Sequence, residues 1–115
     1  MNRVCFNGRL LTRDAPVLNA DNKGYRYGDG LFETMRMIRG QIPLAALHFE
    51  RLFSGLKTLD FNISSRVSPG KFKEEILLLC KENNCEKLAR VRLSVSRGNG
   101  GINDGKDKLE YLVEC

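Results

Sequence analysis

The chain switches hydrophobic period from two to 3.6 and back, and the order of those switches limits the folds open to it. Leu31 to Arg39, LFETMRMIR, alternates: Leu31, Glu33, Met35 and Met37 share one face of a strand, and Phe32, Thr34, Arg36 and Ile38 share the other. Ala45 to Leu59 then adopts three-and-four spacing, with Leu52, Leu56 and Leu59 beside Phe49 and Phe53 forming the apolar stripe of a core-packed helix. A second helix is announced by Ser68 as N-cap and Pro69 at the first helical position, and its stripe of Phe72, Ile76, Leu79 and Cys80 runs up to Asn83. Alternation returns from Leu88 to Ser96, with Leu88, Arg90, Arg92, Ser94 and Ser96 opposed to Ala89, Val91, Leu93 and Val95.

The remaining segments are shorter. Asn7-Gly8 between the two apolar halves of Val4 to Leu11 is the preferred dipeptide of a tight hairpin turn. Asp14 to Lys23 reads as a loop, Arg39-Gly40-Gln41 as a turn, Ile42-Pro43-Leu44 as a short return segment, and Leu109 to Val113 as a last strand. Strands, then two helices, then strands make an α+β domain: a largely antiparallel sheet with two helices on one side, occupying residues 1–115 as one unit.

Charge and cysteine usage narrow the function classes. Nineteen Lys and Arg against 14 Asp and Glu give a net charge of +5, but the two signs alternate, as in KFKEE and KENNCEK, which describes a solvated surface and argues against a nucleic-acid stripe. No run approaches the roughly 18 apolar residues of a membrane helix. Met1 to Leu11 lacks the unbroken apolar run of a secretory signal, so the expected location is cytoplasmic. Cys5, Cys80, Cys85 and Cys115 contain no CxxC pair and stand far from the single histidine, so no metal site is expected, and Cys80 reads as a buried thiol. One histidine also leaves no serine-type triad in evidence.

Three groups carry possible chemistry, each with a purely structural alternative. In GYRYGDG, Gly24, Gly28 and Gly30 permit positive φ and Tyr25 and Tyr27 supply ring surfaces, which suits either a packed turn or a ligand cradle. On a helix, His48, Arg51 and Gly55 form one narrow stripe, either a boundary face or a place where a ligand or another segment approaches closely. After Arg97, the loop GNGG offers backbone N–H groups to an anion, or is simply a hairpin connection.

Taken in order, GYRYGDGLFET, the turn at Gly40, HFERL and SRGNGG resemble the N-terminal half of fold-type IV pyridoxal-phosphate enzymes, the class IV aminotransferases. That family includes branched-chain and D-amino-acid aminotransferases and aminodeoxychorismate lyase, and the resemblance spans roughly Asn19 to Gly101. It implies that Arg51 contacts the phosphate of pyridoxal 5′-phosphate, and that Phe32, Tyr27, Arg92 and Arg97 are candidates for the side that receives an amino acid or 2-oxo acid. Glu33 and His48 would support them, and the assembly would be a homodimer. The family's Schiff-base lysine and the glutamate paired with the pyridine nitrogen belong to its C-terminal half. The resemblance therefore places no catalytic residue within this chain, and the 115 residues are expected to be inactive alone. An aminotransferase is the first reading, and SRGNGG also suits the lyase branch, which eliminates pyruvate in making 4-aminobenzoate. A chain complete at Cys115 would instead be a non-catalytic binding module.

Overall fold

Asn7 and Gly8 take φ of 50° and 85°, the positive values that a two-residue turn between twisted strands requires. They join β1 (Arg3–Phe6) to β2 (Arg9–Thr12) in the expected antiparallel hairpin. The computed structural model describes residues 2–63, 65, 67–98 and 109–115. The loop expected after Gly98 lies outside the described residues.

The glycine-rich stretch is not a bare turn. It holds a short helix, α1 (Lys23–Tyr27), capped by the Asn22 side chain, which accepts from the Tyr25 N–H, and ended by Gly28 in the left-handed conformation at φ 64°. Five residues are too few to show a 3.6 period, so only the caps mark this helix in the sequence.

The long elements fall where periodicity puts them: β3 (Gly30–Ile38), α2 (Ala45–Thr58), α3 (Pro69–Glu82), β4 (Leu88–Ser96) and β5 (Glu110–Glu114). Ser68 accepts from the Lys71 N–H at 3.1 Å, with Pro69 in the first turn, as its sequence position implies. The return segment at 42–44 forms no strand. Gln41 makes a single bridge to Ile38, Pro43 has no N–H to extend a ladder, and Leu44 turns to φ 60° to start α2.

The five strands form one antiparallel sheet in the order β2-β1-β5-β4-β3, so β3 is an outer strand. Its nine residues pair with β4 throughout, from Gly30 opposite Ser96 to Ile38 opposite Leu88. Met35, Met37, Val91, Leu93, Val95 and Val113 from the sheet share one core with Phe49, Leu52 and Leu56 of α2 and Phe72, Ile76, Leu79 and Cys80 of α3. The other face of β3 and β4 carries exposed Phe32, Arg36, Arg90 and Arg92, with Arg36 directly opposite Arg90. None of the described helices is long and apolar enough to cross a membrane.

Phe72 is the centre of the core. Its ring lies 6.3 Å from that of Phe49, 5.9 Å from Phe53 and 4.9 Å, edge-on, from Tyr111. The Tyr111 hydroxyl leaves this apolar cluster through a hydrogen bond to Glu75 at 2.5 Å, which lets a tyrosine pack there without losing a partner for its polar end. Cys5 stands beside the same carboxylate, and burial pushes its thiol up to about 11. Because Phe72 is fully buried, Phe72→Ala is expected to cost about 3–5 kcal/mol, read as a lower urea midpoint.

Candidate anion-binding site at the outer strand

Alternation along β3 puts Glu33 on the covered face between Leu31 and Met35, where it is 5% exposed. An isolated carboxylate in such a place is strongly disfavoured. Here three donors from α2 satisfy it. Arg51 donates from Nε to Oε2 at 2.7 Å and from Nη2 to Oε1 at 2.8 Å, and His48 Nδ1 lies 2.8 Å from Oε1. A ring nitrogen facing an ionised carboxylate carries the proton, so His48 donates through Nδ1. The Arg51 hydrogen bonds, reinforced by His48, hold the Glu33 carboxyl below its ordinary range despite its burial.

The stripe of His48, Arg51 and Gly55 is therefore the seam between α2 and β3. At Gly55 an added Cβ would stand 3.3 Å from Leu31 Cδ1, so glycine allows the helix to close on the strand. Along the outer edge of β3 this seam opens into a groove of about 770 Å³, lined by Phe32, Thr34, Arg51, Ser54, Gly55 and Thr58 among others. Residues from both faces of the sheet reach it because, among the described residues, β3 has a strand on one side only.

Arg51 faces two ways. Its pairing with Glu33 occupies Nε and one Nη2 proton of the five N–H donors a guanidinium carries, while the side chain remains 73% exposed. The forked cation is thus fixed on one edge and presented to the groove on the other. The hydroxyl residues Thr34, Ser54 and Thr58 line the same space. This donor set fits a phosphate group, which takes several hydrogen bonds and a permanent positive charge. Ser54 and Thr58 were not singled out by sequence motifs, yet they continue the Arg51 helix face at three- and seven-residue spacing, a signal that was present.

The other site candidates separate into two groups. Phe32 is 53% exposed on the face turned away from α2 and α3, and the Arg92 guanidinium stacks 3.9 Å from its ring centroid while donating from Nε to Ser94 Oγ at 3.2 Å. Arg97 is instead largely enclosed. It pairs with Asp29 at 2.9 Å, lies 4.2 Å from the Phe61 ring centroid and donates to the Leu59 carbonyl, tying the end of β4 to the segment after α1 and to the turn after α2. Tyr27 is half-exposed at the end of α1, with the Arg26 guanidinium 5.7 Å from its ring centroid. Leu59, expected in the apolar stripe of α2, instead caps the helix end and is 40% exposed, and its meeting with Asp29 and Phe61 around Arg97 depends on the path of the chain around α2.

Fold and site together define an α+β domain whose outer strand and α2 form a groove with Arg51 in its lining. Residues 30–114 match the amino-transferase class IV family, and the chain belongs to that family. It is 39% identical over 96 residues to aminodeoxychorismate lyase of Bacillus subtilis (strain 168), covering 83% of this chain and 32% of that protein. It is 29% identical over 96 residues to D-alanine aminotransferase of Listeria monocytogenes serotype 1/2a (strain 10403S), covering 84% of this chain and 32% of that one. The chain thus spans about a third of the length of these relatives. Its fold is that of Escherichia coli branched-chain amino acid aminotransferase, with a TM-score of 0.87 at 18% identity over 98% of this chain and 38% of that one. A hypothetical aminotransferase from Mycobacterium tuberculosis, solved in a PLP-bound form, shares the fold at a TM-score of 0.76 and 24% identity, over 96% and 38% of the two chains.

A carboxyl whose folded value lies below its ordinary 4.5 stabilises the fold fully above that ordinary value, and this contribution is lost as pH falls through the lowered folded value. Glu33→Gln is therefore expected to lower the urea midpoint at pH 7 and to flatten its decline below about pH 4.5. Parallel denaturation series across that range check this, and an unchanged acid profile would contradict the assigned role.

Proposed function

We propose that this chain is the N-terminal part of a pyridoxal-phosphate-dependent aminotransferase acting on amino acids and 2-oxo acids. The observation that carries this reading is the Arg51 guanidinium, held on one edge by Glu33 and open on the other to a groove with hydroxyl-bearing walls. The cofactor phosphate is close to a dianion at neutral pH, and a forked cation that never loses its charge suits it better than a titrating one. When bound, the cofactor supplies an electron-withdrawing ring that accepts the electrons released as an amino acid loses its α-proton.

This chain's share is binding and orientation. Arg51 anchors the phosphate, with Thr34, Ser54 and Thr58 as further donors, and His48 steadies Glu33 behind it. On the face turned away from α2 and α3, Arg92 offers an exposed guanidinium to a substrate carboxylate, and its stack on Phe32 fixes the plane from which it does so. Arg97 keeps Asp29 and the end of α1, where Tyr27 is half-exposed, in place. The groove between β3 and α2 is open on its outer side, so closing it calls for a further surface, supplied by a C-terminal domain and by the other subunit of a homodimer.

An aminodeoxychorismate lyase is the second reading, favoured by the higher identity to the Bacillus subtilis lyase than to the Listeria aminotransferase. Assays of the complete protein separate the two: amino-group exchange between an amino acid and a 2-oxo acid supports the first, and pyruvate release from aminodeoxychorismate supports the second. In that protein, Arg51→Ala is expected to weaken cofactor retention on dialysis by roughly tenfold or more. Retention equal to that of the unmodified protein would remove the basis of the phosphate assignment.

A further inference from the structure

The C-terminus of α3 closes in a Schellman turn. The Cys85 N–H donates to the Cys80 carbonyl at 2.8 Å, the Asn84 N–H donates to that of Lys81 at 3.0 Å, and Asn84 takes the left-handed conformation at φ 54°. This motif brings the side chains of its first and sixth residues into contact, and here both are cysteines. The antiparallel sheet then delivers a third, Cys115, directly after β5. The three sulfurs all lie within 4.8 Å of one another, and those of Cys85 and Cys115 are 3.5 Å apart.

The surroundings hold this cluster in position. Asn83 donates through Nδ2 to Cys115 Sγ at 3.4 Å and to the Arg3 carbonyl at 3.0 Å, while its Oδ1 accepts from the Arg3 N–H at 2.7 Å, so one amide links β1, α3 and the thiols. Cys80 is fully buried, and Cys85 and Cys115 are half-buried, which leaves one side open to entry from solvent. Next to Cys85, the Glu86 Oε2 is buried with no hydrogen-bond partner among the described residues. The cluster shares no residue with the groove at Arg51.

We propose that Cys80, Cys85 and Cys115 form a binding site for a thiophilic divalent d¹⁰ cation, zinc being the representative ion, with water in the fourth position. Zinc–sulfur bonds of about 2.3 Å in a tetrahedron place the sulfurs about 3.8 Å apart, within the range of separations the three already occupy. Sulfur ligands favour such a cation over calcium or magnesium, which require oxygen. Gaps of five and thirty residues between the ligands conceal the site from any search for a CxxC pair. Bound metal would staple the end of α3 to β5.

The test uses the 115-residue chain, reduced and freed of chelator. Titration with Co²⁺ is expected to give a thiolate-to-cobalt charge-transfer band and tetrahedral d–d bands that saturate at one equivalent and vanish when Zn²⁺ is added. Cys85→Ser and Cys115→Ser, at half-buried positions, are each expected to weaken Zn²⁺ binding at least about tenfold and to abolish the rise in Tm that Zn²⁺ produces in the unmodified chain. Cys5→Ser, outside the cluster, is expected to bind as before. Absence of the charge-transfer band at one equivalent overturns the proposal, as does equal weakening by Cys5→Ser. Formation of a Cys85–Cys115 disulfide in air, at the same rate with and without Zn²⁺, also overturns it.

Discussion

The domain depends on one carboxylate. Glu33 sits on the covered face of the outermost strand, where hydrophobic alternation alone would place a leucine or valine, and it is tolerated because α2 brings a guanidinium and an imidazole to it in the same turn. The pairing sets the rotation of α2 about its axis, since His48 and Arg51 reach Glu33 only when their stripe faces the strand. Leu52 and Leu56 then point into the core, and Gly55 falls against Leu31. The placement of Arg51 and the packing of the core thus follow from one constraint, and a change at Glu33 acts on both.

Much of this architecture was readable in the sequence, for physical reasons. Strands β3 and β4 keep one face covered along nine residues each, so burial wrote a period of two into both, and the caps and stripes of α2 and α3 are equally explicit. What escaped were features too short for periodicity. Helix α1 has only its caps to declare it, and the return segment at 42–44 is too short for its pattern to tell a ladder from the single bridge at Gln41. The site was half legible. HFERL and the alternating strand identify Arg51 and Glu33 separately, but nothing in the linear pattern says that they bond to each other. Nor did it distinguish Arg92, exposed on the outer face of the sheet, from Arg97, enclosed by Asp29 and Phe61.

The three thiols were less legible still. Motif searches read ligands at short spacing because a single turn or hairpin must present them. This fold uses a helix-ending turn for two sulfurs and a sheet partner from thirty residues away for the third. Long-range strand order is the least local information in a sequence, so a site built on it leaves no local trace.

The ladder that sets Arg36 opposite Arg90 has a consequence for behaviour in different buffers. Two guanidinium groups in register on an open sheet face repel each other, and mobile counterions screen that repulsion within about 10 Å at 0.1 M ionic strength. The Glu33 pairing, with its carboxylate shielded from solvent, is screened far less. Raising ionic strength thus relieves repulsion between β3 and β4 while disturbing the helix-to-strand lock less, which makes this a domain firmed by salt.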